Sequence, residues 1–173
     1  MDFKRLYTRF DGRIGRRDYW IGFLVLIAAG FAVSLVLTPV LGPFVASILI
    51  NLALIYPATA VVAKRLHDRD KPTIPWVPIF VGIPILVNIV QLLGVGSERI
   101  TVPREQVEAL PNALPAGDGL VSIPVPNALG VSLSAVAVIF GLWALVELGF
   151  LRGTSGPNRF GPDPVADDHA AHA

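Results

Sequence analysis

"FVASILINLALIYPATAVVAKRLHDRDKP", residues 44–72, changes character once. Phe44–Ala63 carries no charge at all, and then Lys64, Arg65, Asp68, Arg69, Asp70 and Lys71 crowd around His67. An α-helix needs about 20 apolar residues to cross a hydrocarbon core of about 30 Å, and the uncharged part meets that length. The charged part is then either a chemical site or the collar of a helix leaving a bilayer. The rest of the chain decides between them.

Of 173 residues, 53% are hydrophobic and only 16% charged, with a mean hydropathy of +0.63. Soluble domains carry about 25% charged residues, so the balance points to a membrane. Three further apolar runs lie near 19–38, 74–95 and 128–151. Together the four predict an all-α integral membrane bundle of four transmembrane helices occupying residues 1–164, with a loop at 96–127 and a disordered tail at 165–173. The first run is too long for a signal-peptide core and no small-x-small cleavage pattern follows it, so it reads as a retained anchor.

Lys and Arg are distributed unevenly about these runs. Taken alternately, the flanking segments hold twelve on one side and two on the other. The positive-inside rule therefore predicts an inner-membrane protein with both termini and the 64–71 cluster in the cytoplasm, and the 96–127 loop outside. Ahead of the first run, Phe3, Leu6, Tyr7 and Phe10 recur at helical spacing among Lys4, Arg5 and Arg9. That spacing predicts a short amphipathic helix lying among lipid headgroups, broken at Asp11-Gly12. In the long loop, "VPREQVEAL" suits two helical turns starting at Pro103, and the Pro- and Gly-rich remainder predicts no regular helix.

Four polar side chains fall within the runs: Asn51, Asn88, Gln91 and Glu147. Asn51 and Asn88 lie at similar depth and suit an amide pair between helices. Glu147 is expected to pair with Arg152 or with a cation of the 64–71 cluster, because an ionised carboxylate is costly in a bilayer. Tyr56-Pro57 and Pro84 predict kinks. The halves of the chain show no repeat of the kind that inverted-repeat transporters carry.

Chemistry-bearing patterns are sparse. The absence of cysteine excludes disulfides and thiolate metal sites. His67 and Asp68 are adjacent, which on a helix points them in different directions, and no Ser/His/Asp arrangement or metal-ligand spacing accompanies them. His169 and His172 sit on the tail and are weak ligands. "GTSG", 153–156, is a compact turn and lacks the Gly-Lys-[Ser/Thr] of a phosphate loop. No cofactor, metal or nucleic acid is implied.

Three blocks stand beside the apolar runs: "FDGRIGRRDYW" (10–20), "KRLHDRDKPTIPW" (64–76) and "GTSGPNRFGPDP" (153–164). They resemble the bacterial membrane proteins grouped as the domain-of-unknown-function 805 family. The matching positions are Phe10, Gly12, Arg13, Arg16, Tyr19 and Trp20; then Arg65, Leu66, His67 and Asp68; then Asn158, Arg159, Phe160, Gly161 and Pro164. The resemblance implies a bacterial inner membrane and brings no activity with it. In the predicted topology all three blocks share the cytoplasmic face. Arg13, Arg16 and Arg17 are expected to meet Asp68 and Asp70, with Lys64–Asp68 as an i,i+4 pair.

The functional expectation is a non-enzymatic membrane module whose charged face binds lipid headgroups or a partner, a second copy of the chain included. Its candidate residues are Gly12, Arg13, Arg16, Arg17, Trp20, Arg65, His67, Asp68, Asn158, Arg159, Phe160 and Gly161. The alternatives are a small oligomeric carrier or channel using Asn51, Asn88, Gln91 and Glu147, or an enzyme acting on lipid through His67 and Asp68.

Overall fold

The computed structural model describes residues 2–103 and 120–165 and the backbone of 114–117. Two expectations, the helical turns of 103–110 after their first residue and the tail beyond 165 with its histidines, lie outside the described residues. The chain divides into two compact units, one formed by residues 1–85 with 139–173 and the other by 86–138.

In the first unit, helix α1 (Phe3–Thr8) is capped by Asp2, whose carboxylate accepts the Arg5 N–H at 3.1 Å. It docks against helix α2 (Arg16–Asp68). Leu6 is buried, Tyr7 donates to Gly22 O at 3.1 Å, and Tyr56 donates to Thr8 O at 2.8 Å. A Cβ on Gly22 would come within 3.0 Å of Leu6, so the missing side chain is what lets α1 approach. The N-terminal helix therefore packs on α2 and is not a separate element.

Helix α2 has 53 residues, which would run about 80 Å if straight. Only Gly42 leaves helical geometry, at φ 75° and ψ 161°, between Pro39 and Pro43. The positive φ suits a residue without Cβ. The two arms lie alongside each other: a Cβ on Gly30 would fall 2.9 Å from Leu54, and one on Gly22 3.5 Å from Val61. Both ends of α2 consequently reach the same place, where Ile14 N–H donates to Lys64 O at 3.4 Å.

Three helices are long and apolar enough to cross a membrane: Arg16–Asp68, Thr73–Leu92 and Ala128–Phe150. The expectation of four transmembrane helices plus a separate N-terminal helix is thus corrected to three spanning helices, the longest of which doubles back at Gly42, and one short extra helix. The stretches expected as the first two spans, 19–38 and 44–63, belong to one helical element, because the only non-helical residue between them is Gly42. Little of the spanning windows is buried within the protein, and Leu24, Phe31, Val36, Leu52, Leu86 and Ile139 all face outward. So large an exposed apolar surface belongs in lipid.

The second spanning helix comprises α3 (Thr73–Val77), a π-helical stretch Pro78–Gly82, and α4 (Ile83–Leu92). Pro84 lacks the N–H an α-helix needs, and the helix widens just before it, with Ile83 N–H bonding Pro78 O. The last spanning helix is α5 (Ala128–Ala144), ending in a π-helical stretch Leu145–Phe150. Trp76 and Phe80 meet Trp143 with ring centroids 5.9 and 5.1 Å away.

The second unit holds a finding that corrects the reading of the long loop. Strands β1 (Ser97–Pro103), β2 (Leu114–Gly117) and β3 (Leu120–Pro126) form an antiparallel sheet in the order β1-β3-β2. Ile100 stands opposite Ile123 and Val102 opposite Val121. Pro103, expected to start a helix, ends a strand. Asn127 caps α5 by accepting Gly130 N–H at 3.1 Å, while Gln91 donates to Ser134 Oγ at 2.8 Å and Gly130 O at 3.2 Å.

Candidate functional site

Three segments meet in the first unit: residues 10–15 ahead of α2, the end of α2, and the chain after Phe150. At their centre lies Asp68, whose side chain is 5% exposed. Arg13 approaches one carboxylate oxygen, with Nη2 at 3.0 Å and Nε at 3.2 Å from Oδ1, and Arg65 pairs with the other, Oδ2. The two arginine side chains are themselves 1% and 0% exposed. Buried charges persist only when they are paired and their remaining donors are bonded. Here they are. Arg13 also donates to Gly156 O and Thr154 O, both at 2.7 Å, and Arg65 to Leu148 O at 2.7 Å and Leu151 O at 2.6 Å.

The network fixes its own backbone. Thr154 donates both N–H and Oγ–H to Asp68 O, at 2.8 and 3.0 Å. Gly153 packs directly on the carboxylate: a Cβ there would fall 1.9 Å from Asp68 Oδ2. Nothing larger than glycine fits without moving Asp68. Gly149 plays the same part for Trp20, which donates Nε1–H to Gly149 O at 3.2 Å.

His67 is held on all sides. Nδ1 lies 3.2 Å from Gly12 O and Nε2 3.0 Å from Thr73 Oγ1. A carbonyl only accepts, so Nδ1 carries the proton and Nε2 accepts from the hydroxyl. The ring stacks on Phe160 at 3.9 Å and 3°, and Asn158 donates to His67 O at 2.9 Å. Outside this stack, Arg159 pairs with Asp70 at 3.0 Å and lies over the Phe160 ring. Gly161 O accepts from Arg13 at 3.3 Å.

Of the expected contacts, Arg13 with Asp68 forms. Arg16 instead donates to Phe150 O at 3.3 Å, and Arg17 is exposed. The expected Lys64–Asp68 pair gives way to Arg65–Asp68, because Lys64 turns to α1 and donates to Arg5 O and Leu6 O at 2.7 and 2.5 Å. Those are carbonyls at the end of α1, where a cation is favoured. Glu147 pairs with Lys71 at 2.5 Å and Arg69 at 2.8 Å, and Lys71 also stands 4.1 Å over the Trp76 ring. Asn51 donates to Ser47 O at 2.9 Å. Sequence reasoning passed over Gly153 and Thr154 as binding partners of the network; their signal was position, directly after the span that ends beside Asp68.

Beside the network opens a cavity of about 350 Å³ lined by Arg16, Arg65, Arg152, Asp68, Ser155 and Asp163, among others. Backbone N–H groups of Val165 and Gly156 hold the Asp163 carboxyl below the usual carboxylate range. Among the described residues no group of three or more His, Cys, Asp or Glu side chains is placed to hold a metal ion.

Spanning helices with lipid-facing surfaces, polar side chains within them and one ion-locked end define a multi-pass helical membrane protein. The chain belongs to the family described as protein of unknown function (DUF805), which it matches over residues 7–162. It is 30% identical over 158 residues to the uncharacterized protein YiiR of Escherichia coli strain K12, covering 89% of this chain and 84% of the relative. The YiiR protein of Escherichia coli O157:H7 matches to the same extent. These relatives are bacterial, consistent with an inner-membrane location. No solved structure matches.

Proposed function

We propose that the protein is a non-enzymatic membrane module whose ion-locked end, on the cytoplasmic side by its charge distribution, is a rigid platform for lipid headgroups or a partner. The observation that carries this is the saturation of the residues an enzyme would need. Both nitrogens of His67 are engaged, and both oxygens of Asp68 face buried guanidinium groups. A general base needs a lone pair within reach of substrate, and this pair offers none while the network is closed.

A second reading, a small carrier, is favoured by polar groups within the spans. Asn51 lines an apolar cavity of about 270 Å³ between the arms of α2 and the neighbouring helices, and Glu147 is a buried carboxylate near the end of α5. Purified protein in sealed proteoliposomes separates the readings. The platform predicts neither turnover of the lipid nor flux of protons or small ions above empty vesicles. Flux that disappears in Asn51→Leu and Glu147→Gln variants would replace it with the carrier; lipid turnover lost in His67→Phe would replace it with the enzyme.

A further inference from the structure

We infer that the cavity beside the network is a site for an anionic phospholipid, with the headgroup phosphate between Arg16 and Arg152; this rests on the platform reading and gives it a ligand. The charges lining the cavity are unequal in what they have left to offer. Arg65 and Asp68 are spent on each other and on Arg13. Asp163 accepts the N–H groups of Gly156 and Val165, at 2.8 and 3.0 Å, and its charge partly offsets that of Arg152 on the same cavity. Arg16, whose only described bond is one long donation to Phe150 O, and Arg152 are exposed cations on the same opening, with Ser155 beside them. Two guanidinium groups flanking a hydroxyl suit a phosphate, which takes charge-assisted and bidentate hydrogen bonds. Gly15 caps α2 without a side-chain bond and lines the same cavity, adding the positive end of a helix.

A second observation separates a lipid from a soluble phosphate. The helix faces that end in these arginines line one apolar slot. Below Arg16 on the first arm of α2, at helical spacing, lie Tyr19, Phe23 and Leu26. Below Arg65 on the second arm lie Val61, Ala58 and Leu54, and Leu148 and Ala144 precede Arg152. All of them line the 270 Å³ cavity, where Asn51 is the only amide. Two exposed cations, Arg16 and Arg152, at the same end of the helices as this apolar cavity match an amphiphile whose chain lies along those helices in the bilayer.

The test is native mass spectrometry of the full chain released from nanodiscs of phosphatidylcholine with or without phosphatidylglycerol. The wild type should retain one phosphatidylglycerol in preference to phosphatidylcholine. An Arg16→Gln/Arg152→Gln variant should lose that retention by about tenfold or more, since each charge-assisted contact to the phosphate is worth roughly tenfold. A Lys4→Gln/Arg17→Gln variant removes the same charge from the same end and should retain the lipid. If it loses as much, general surface attraction accounts for the binding and the site is wrong. Ser155→Asp adds a negative charge and leaves every described contact in place; retention by this variant would also overturn the site, even if the double variant fails to fold. Glycerol phosphate at millimolar concentration should not displace the lipid; displacement would mean the pocket takes a soluble phosphate. Equal retention of both lipids by the wild type would sink this proposal and leave the platform reading to be judged by the flux and turnover assays.

Discussion

Replacing Asp68 by Asn removes one charge and almost no volume, so its effect isolates the ion network from packing. In the native protein one carboxylate pairs with two guanidinium groups whose side chains are 1% and 0% exposed. Removing one partner of a buried pair typically costs about 3–5 kcal/mol, because the other charge stays buried. The lower end applies here, since Arg13 keeps Thr154 O and Gly156 O and Arg65 keeps Leu148 O and Leu151 O. The amide must also turn its NH₂ toward one of two cations that only donate. The expected loss is thus about 3 kcal/mol, more than a hundredfold in the folding equilibrium. Reversible unfolding in mixed micelles, followed by tryptophan fluorescence, reads it directly. Arg13→Gln and the double variant complete a cycle, with a coupling above about 1 kcal/mol expected for residues in one network. A loss below about 0.5 kcal/mol for Asp68→Asn, typical of surface changes, would refute the buried network, as would simple additivity of the two substitutions.

Other parts of the molecule give smaller or more local tests. Gly153→Ala forces a Cβ against Asp68 Oδ2 and should cost about 1–3 kcal/mol by overpacking, read in the same assay; a neutral result would mean the turn does not pack there. Glu147→Gln leaves the partly exposed Lys71 and Arg69 without their buried anion. It should cost about 1 kcal/mol and change the emission of Trp76, over which Lys71 lies. Gly130→Ala places a Cβ 2.0 Å from Gly96 O, so hydrogen exchange should quicken in 86–138 while Asp68 and its partners keep their protection. Asp163 titrates below its unfolded value, so its hold on the Gly156 and Val165 amides is present above about pH 4 and lost as pH falls through the lower folded value. Exchange of those two amides should rise in acid, and Asp163→Asn should abolish that pH dependence.

What the sequence reveals here tracks the range of the interaction. The uncharged runs around Phe31, Leu52 and Ile139 announce lipid-facing helices, because burial in a bilayer is a property of each segment alone. That Arg13 approaches Asp68 was legible as a charge match between blocks. Which arginine does so was not: Arg13, Arg16 and Arg17 differ by position before or on α2, and only the docked backbone separates a carbonyl partner for Arg16 from a carboxylate for Arg13. Lys64 left its i,i+4 partner because α1 folds back and offers two carbonyls nearby. The first two runs read as separate helices because Pro39 and Pro43 stand between them, whereas they bracket a single non-helical residue. The sheet was missed because Pro103 read as a helix start and Pro115, Pro124 and Pro126 as breaks, whereas Pro103 and Pro126 end their strands, Pro115 lies on the edge strand β2, and Pro124 lies inside β3 opposite Arg99.

The central claim is that the segment before α2 and the segment after Phe150 lie at one face of the membrane, joined through Asp68. The chain has no cysteine, so single cysteines at Asp11 and at Ser155 can each be labelled with a membrane-impermeant maleimide in right-side-out and inverted vesicles. Both positions should react in inverted vesicles and stay protected in right-side-out ones. Labelling of the two from opposite sides would contradict the shared face, and with it the Arg13–Asp68–Thr154 connection on which the rest depends.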